Sequence, residues 1–184
     1  MSLSMSDQNL IGTISCCTGI TLQFVLDILN NSEFQKLQNI GGGLTYHREG
    51  NAFVHSLLVF NNSFEFWQND PMNVIALLHD IGKIYTGKPK DDGDWEYPYH
   101  ASCGALHLME FLPDNLADCT EFQIRAKFYI ENHIKPLFWD KKGFPEKTNQ
   151  TINLAKLAIC DLKGSFSKLP QTEKLQGLYD YIKE

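Results

Sequence analysis

The chain has 184 residues, of which 43% are hydrophobic and 21% are charged, and its formal net charge is −6. This length and composition are ordinary for one globular domain, and the acidic balance argues against non-specific nucleic-acid binding, which needs clustered Lys and Arg. No apolar run reaches the length of a membrane span. The five cysteines lack framework spacing, so we expect reduced thiols in a cytoplasmic protein.

The hydrophobic periodicity of the first half predicts helices. They are expected over about residues 21–30 and 51–68, with the break Gly41-Gly42-Gly43 between them. Asp70-Pro71 has the pattern of an N-cap followed by proline at the first helical position, so a third helix is expected to begin there. We expect this helix to extend through His79 and Asp80.

The second half adds a hairpin and more helices. Segment 87–98 holds the turn signal Asp91-Asp92-Gly93-Asp94 between short strand-like pieces, which predicts a small hairpin or loop. Thr120 and Gln123 show the spacing of a capping box. Helices are predicted over 100–112, 120–133, 151–162 and from 172 onward.

No internal repeat and no linker divides the chain, so the predicted fold is all-α, a single-domain helical bundle with a small hairpin or loop. We expect residues 21–184 to form this domain. Residues 1–20 are expected to be an N-terminal segment that is disordered or derived from the expression vector.

The strongest chemical signal is the run Leu77-Leu78-His79-Asp80-Ile81-Gly82-Lys83. An apolar stretch that should be buried ends in histidine and aspartate, and a buried aspartate is costly unless it is paired or bound to a metal. Lys83 shares the face of this pair, so its ammonium can hold a substrate phosphate. Further ligands of the same kind are His55, His100, His133 and Asp161. Such a nitrogen and oxygen set suits Mn, Fe, Co, Ni or Zn better than Ca.

Taken singly, each candidate ligand has a structural alternative. A lone histidine on an apolar helix, such as His55, is more often a hydrogen-bonded core residue. His79-Asp80 can be a helix end with its carboxylate in solvent, and Asp161 can cap a turn. His100 and His133 can occupy helix ends, where the dipole favours a histidine at the C-terminus. Only the ordered set favours a metal site.

In this order, the residues resemble the HD-domain metal-dependent phosphohydrolase superfamily, whose pattern is H…HD…H…H…D on a helical bundle. The likeness is to the HD domain of bacterial tRNA nucleotidyltransferases, and it covers roughly residues 43–165. The matching segments are Tyr46-His47-Arg48-Glu49-Gly50 before His55, Leu77 to Lys83, Trp95 to His100 with Gly104-Ala105, His133, and Asp161-Leu162-Lys163-Gly164.

Several departures limit what the resemblance implies. No nucleotidyltransferase domain precedes the matching part, so we do not expect tRNA-tail synthesis, and Ala101 stands where the family often has Glu. Asn132-His133 and Lys142-Gly143-Phe144-Pro145 replace the His-His pair and the G-Y-P segment of cyclic-di-GMP hydrolases. Lys83 stands where 5′-deoxynucleotidases usually have Glu.

The resemblance implies a division of roles around one or two divalent ions. A first ion would be held by His55, His79, Asp80 and Asp161. Asp80 would bridge it to a second ion on His100 and His133, unless these two contact phosphate instead. A metal-activated water would attack phosphorus while Lys83 stabilises the developing charge. The expected substrate is a phosphomonoester or phosphodiester, either a nucleotide or an RNA end with a 2′,3′-cyclic phosphate.

Two other functions stay open at this stage. A few members of the superfamily use the same six residues to hold two irons and oxidise a C–H bond with O2, and Tyr46 with Glu49 loosely resembles one phosphonate-cleaving branch. The other alternative is a non-catalytic module that senses a nucleotide. An intact ligand set speaks against the second, because degenerate domains usually lose ligands.

Overall fold

The computed structural model describes residues 22–43, 47–68, 70–167 and 171–183. Residues 1–21, which include the N-terminal segment expected to be disordered or vector-derived, lie outside this part, and so does Tyr46. The α-helices are α1 Leu22–Asn30, α2 Ser32–Gln35, α3 Ala52–Ser63, α4 Met72–Leu78, α5 Lys83–Thr86, α6 His100–His107, α7 Asp114–Ala117, α8 Thr120–Asn132, α9 Trp139–Lys142, α10 Asn149–Gly164 and α11 Thr172–Lys183. Strands β1 Lys88–Pro89 and β2 Trp95–Glu96 are antiparallel, and 3₁₀ turns cover Lys36–Asn39, Leu108–Glu110 and Lys135–Phe138.

The expected all-α bundle with a small hairpin is confirmed. Helices α3 and α10 pack along each other, α6 packs on α8, and α11 covers α10. Among the described helices, none is long and apolar enough to cross a membrane.

Helix α4 is the central element of the bundle. All seven of its residues are buried, and a helix that is apolar on every side must be enclosed by other elements. Here α3 and α8 enclose it. Asp70 starts the helix, since its Oδ1 accepts a hydrogen bond from the Met72 amide at 2.9 Å. The C-terminal end of α4 therefore delivers the next residues into the middle of the protein.

Three predicted helix ends were wrong. The helix expected over 100–112 ends at His107 and tightens into the 3₁₀ turn Leu108–Glu110. The helix expected to reach residue 68 ends at Ser63, where successive Asn and Ser side chains compete with the backbone for hydrogen bonds. Helix α4 stops at Leu78 rather than carrying His79 and Asp80 within it. The following turn uses shorter-range bonds, from the Ile81 amide to the Leu78 carbonyl at 3.2 Å and onward to Lys83.

The predicted capping box of α8 was also wrong. Cys119 occupies the N-cap, and its side chain makes no capping hydrogen bond. The side-chain Nε2 of Gln123 donates to the Ala117 carbonyl instead. A capping box forms at α10, where Thr148 and Thr151 exchange hydrogen bonds. Helix α10 consequently starts two residues earlier than expected and runs to Gly164.

Gly82 brings the turn after α4 into direct contact with α6. A side chain at this position would overlap the carbonyl oxygen of His100 and lie 2.5 Å from the amide nitrogen of Gly104. Only glycine permits two backbones to approach so closely. This contact places Asp80, two residues before Gly82, beside the first turn of α6.

We expect Gly82→Ala to destabilise the protein by about 1–3 kcal/mol, because the added methyl meets backbone atoms that cannot rotate away. Gly177→Ala is the matched control. Its methyl would meet only the tip of the Phe144 ring at 3.5 Å, so the gain in helix propensity should stabilise α11 by up to about 1 kcal/mol. Urea denaturation of both variants measures the difference. Equal midpoints would contradict the packing role of Gly82.

Candidate metal centre

The six predicted ligands meet at one place in the bundle. His55 comes from α3, and His79 and Asp80 come from the turn that follows α4. The other three come from the ends of further helices: His100 begins α6, His133 directly follows α8, and Asp161 lies in the last turn of α10. Residues that are far apart in the sequence thus surround a single buried carboxylate, that of Asp80.

One half of the centre consists of His55, His79 and Asp161 around the Oδ2 atom of Asp80. Oδ2 lies 3.3 Å from His79 Nε2 and 3.5 Å from His55 Nε2. His55 Nε2 is also 3.0 Å from Asp161 Oδ1. Two atoms that bind one ion at about 2.1 Å lie roughly 3.0–3.4 Å apart. The spacing therefore suits a shared cation.

The second half forms around the other oxygen of Asp80. Oδ1 lies 3.3 Å from His100 Nε2 and 3.6 Å from His133 Nε2, and the two imidazole nitrogens are 3.3 Å apart. Asp80 thus faces one ligand cluster with each oxygen. This is the arrangement of a carboxylate that joins two neighbouring cation positions.

Backbone hydrogen bonds set the orientation of three of these imidazoles. In each case Nδ1 faces the carbonyl oxygen three residues earlier: His79 faces Ala76 at 2.8 Å, His100 faces Tyr97 at 2.9 Å, and His133 faces Ile130 at 2.7 Å. Since a carbonyl only accepts, the ring proton must lie on Nδ1. The Nε2 lone pair is then directed at the centre, as metal ligation requires.

Burial gives an independent test of whether these residues fit a metal. His55 and His79 are 1% and 0% exposed, and the Nε2 atom of each lacks a hydrogen-bond partner. An orphaned buried polar atom costs free energy, and a bound cation would satisfy both atoms at once. These groups of His and Asp side chains can therefore hold a metal ion.

Lys83 is part of the centre and is not a solvated charge. It is only 4% exposed, its Nζ lies 2.5 Å from Asp80 Oδ2, and it sits 4.7 Å above the centre of the Tyr97 ring. Burial opposes ionisation of Asp80, but Lys83 and the neighbouring imidazole of His79 hold its pKa well below the usual range.

The imidazoles on the two sides of Asp80 differ in their protonation. Burial lowers the pKa of His100 to about 4, so this ring is neutral at pH 7 and ready to bind a metal. Burial also disfavours the charged form of His55, yet the Asp161 and Glu49 carboxylates raise its pKa to about 9. In the metal-free protein, His55 is therefore in its charged form at pH 7, with both ring nitrogens protonated.

Two further side chains contact this centre and are not among the ligands predicted from the sequence. The carboxylate of Glu49 is fully buried against His55, and the Tyr97 ring lies beneath Lys83 while its hydroxyl donates to the Gly41 carbonyl. The signal for Glu49 was its place in the segment before His55. The aromatic and charged loop from Tyr85 to Tyr99 predicted a cover for the site, but no local pattern distinguished Tyr97 from the other aromatic residues of that loop.

Comparison with known proteins gives one partial match. No protein-family model matches the chain, and no solved structure matches it. A stretch of 65 residues is 38% identical to the [1-hydroxy-2-(trimethylamino)ethyl]phosphonate dioxygenase (glycine-betaine-forming) of Leisingera caerulea. It spans 34% of this chain and 33% of that protein, about a third of each. The match and the His and Asp clusters are compatible with the HD superfamily. Nothing in the comparisons supports a particular relation to tRNA nucleotidyltransferases.

We expect Mn²⁺ to stabilise the folded chain, because the ligands converge only in that state. At a concentration of about 100 Kd, the gain is about 2.7 kcal/mol, or a rise of roughly 5–10 °C in Tm. Calorimetry and metal analysis should give two ions per chain, and Asp161→Ala should remove most of the shift. An unchanged Tm across Mn²⁺, Co²⁺, Ni²⁺, Fe²⁺ and Zn²⁺ would contradict the metal centre.

Metal affinity should increase with pH. The cation must displace the His55 proton, whose pKa in the metal-free protein is about 9, so each unit below that value costs about tenfold in affinity. Between pH 6.5 and 8.5 we expect about 100-fold tighter Mn²⁺ binding. Titration calorimetry in buffers of different ionisation enthalpy should count one released proton. A flat affinity over this range would show that His55 is neutral before binding.

Proposed function

We propose that the protein is a metal-dependent phosphohydrolase that cleaves a phosphomonoester or phosphodiester of a nucleotide or RNA end. The observation that carries the proposal is the buried ammonium of Lys83 beside the paired ligand clusters. Two divalent ions together with Lys83 would outweigh the charges of Asp80, Asp161 and Glu49. The loaded centre would then be positive, and it would attract a small anionic substrate.

Bound divalent ions would lower the pKa of water and offset charge on phosphoryl oxygens. The chain's own groups support that chemistry. Lys83 can donate hydrogen bonds to a phosphoryl oxygen, and its place above the Tyr97 ring restricts the ammonium to the side of the ligands. Because this pocket is shielded from water, the fixed charge acts more strongly than it would on the surface.

The substrate would enter from the side of the less buried ligands. The side chains of His100 and Asp161 are 15% and 13% exposed, whereas that of Asp80 is 2% exposed. Tyr99, which precedes His100, is 86% exposed and has a left-handed φ of 57°. An exposed aromatic ring next to a ligand, on a backbone that holds a rarely populated conformation, is suited to stack on a nucleobase.

A second candidate is a di-iron oxygenase, and the partial match to a phosphonate dioxygenase favours it. The same ligands can hold iron, since imidazole and carboxylate groups suit this metal. Under this alternative, Lys83 would bind the phosphonate group, and O2 rather than water would be the second reactant. The position of Lys83 fits both reactions, because each substrate carries an anionic phosphorus group.

One experiment separates the two functions. The protein is purified without added metal, analysed for metal content, and loaded in turn with Mn²⁺, Co²⁺, Ni²⁺ and, without oxygen, Fe²⁺. Phosphate esters, nucleotides and 2′,3′-cyclic nucleotides are screened for hydrolysis, and phosphonates are screened for O2 consumption. Metal-dependent ester cleavage without O2 uptake supports the hydrolase. Iron-dependent O2 uptake with no ester cleavage would replace it by the oxygenase.

We expect Asp80→Asn to abolish metal-dependent cleavage of bis(p-nitrophenyl) phosphate, because the neutral amide cannot join the two ligand clusters. Lys83→Ala should retain metal but lose about 10²–10³ in rate, the usual effect of removing one electrostatic contact from a water-poor site. Glu65→Gln is the control, because its carboxylate is bound to Lys163 and Tyr179 and to none of the predicted ligands. Undiminished hydrolysis by Asp80→Asn would refute the proposal.

A further inference from the structure

Glu49 lies behind His55, on the side of the imidazole that faces away from Asp80. Its side chain is 0% exposed, although it belongs to an irregular segment before α3. Burying a carboxylate is costly unless hydrogen bonds and charges compensate for the lost water. The surroundings of Glu49 supply them.

Both oxygens of the Glu49 carboxylate are occupied. Oε1 lies 2.8 Å from His55 Nδ1 and 3.0 Å from His47 Nδ1, and Oε2 accepts a hydrogen bond from the Phe166 amide at 3.0 Å. Nδ1 of His55 makes no well-formed hydrogen bond in this arrangement. At 2.8 Å, however, a ring nitrogen and a carboxylate oxygen repel each other unless a proton lies between them. Nδ1 of His55 therefore carries a proton.

His55 differs from the other three imidazoles in what holds its ring. His79, His100 and His133 each face a backbone carbonyl through Nδ1, whereas the partner of His55 is the Glu49 side chain. A backbone carbonyl is present whatever the residue, but a side-chain partner can be lost by one substitution. The orientation of His55 thus depends on one residue.

Glu49 also connects two segments of the chain that carry ligands, because it contacts His55 of α3 and the Phe166 amide just after α10. Phe166 follows the end of α10, and the hydroxyl of Ser165 donates to the Asp161 carbonyl at 3.0 Å. One carboxylate therefore ties a ligand of α3 to the chain segment that carries a ligand of α10.

We propose that Glu49 is a positioning residue that holds His55 with its Nδ1 protonated and its Nε2 directed at the metal, and that it fixes the spacing between His55 and Asp161. The inference rests on the metal centre proposed above, but it does not depend on whether the reaction is hydrolysis or oxidation. A carboxylate behind a ligating histidine raises the basicity of the ring and restricts its rotation.

The first test is metal affinity. The full chain and the variants Glu49→Gln and Glu49→Ala are titrated with Mn²⁺ by calorimetry, beside circular dichroism and Tm of the metal-free proteins. We expect about 10–100-fold weaker binding in Glu49→Ala, with Glu49→Gln in between because its amide oxygen can still accept a hydrogen bond from the His55 Nδ1–H group. Glu65→Gln, which removes the charge of a carboxylate with two donors outside the centre, should bind as the wild type does.

A purely structural role predicts a different result. It would lower the Tm of the metal-free variants while leaving the affinity of the folded protein unchanged, and this outcome would overturn the inference. If the wild type itself binds no metal, the proposed function fails together with the inference. Unchanged affinity in both variants beside a metal-binding wild type overturns the role of Glu49 alone.

The second test uses only the wild-type protein, so it does not depend on the folding of a variant. Nitrogen-15 spectra of the Zn²⁺-loaded wild type report which ring nitrogen of each histidine carries the proton. We expect His55 to show a protonated Nδ1 and a metal-bound Nε2, the same tautomer as His79. A His55 ring bound through Nδ1, or with Nδ1 unprotonated, would overturn the inference.

Discussion

The structure depends on the burial of one carboxylate, that of Asp80, at the centre of a helical bundle. Burial alone would neutralise this group, but Lys83 and the surrounding imidazoles keep it ionised. Its two oxygens then divide the neighbouring side chains into two clusters. Five helices must end, begin or cross at this point to supply those side chains. The positions of the ligands therefore dictate how the helices of the bundle are arranged.

The sequence predicted the parts of this arrangement that have a local signal. The apolar run of α4 and the Asp70-Pro71 start are visible in one segment, and so is the hairpin turn of residues 91–94. The end of α4 was misplaced because the turn that follows it keeps near-helical dihedral angles at His79 and Gly82. Periodicity cannot distinguish such a turn from another helical residue.

Contacts between distant segments had no comparable signal in the sequence. The pairing of Glu49 with His55 and Phe166, and of Lys83 with Tyr97, depends on how α3, α10 and the hairpin pack in three dimensions. Neither a motif nor a spacing encodes that packing. The resemblance to a known family placed Glu49 in a matching segment, but it assigned no physical role to the residue; the buried contact supplies one.

The backbone contact between Gly82 and the first turn of α6 has a consequence for how this centre can change. The interval between the Asp80 turn and His100 is set by main-chain atoms in contact, and not by side chains. A substitution among the ligands would therefore alter which ion or substrate is held without altering the distance between the Asp80 turn and His100. In such a scaffold, exchange of a single ligand can change the chemistry of the site. The distance between the Asp80 turn and the first turn of α6, which no single side chain could restore, stays the same.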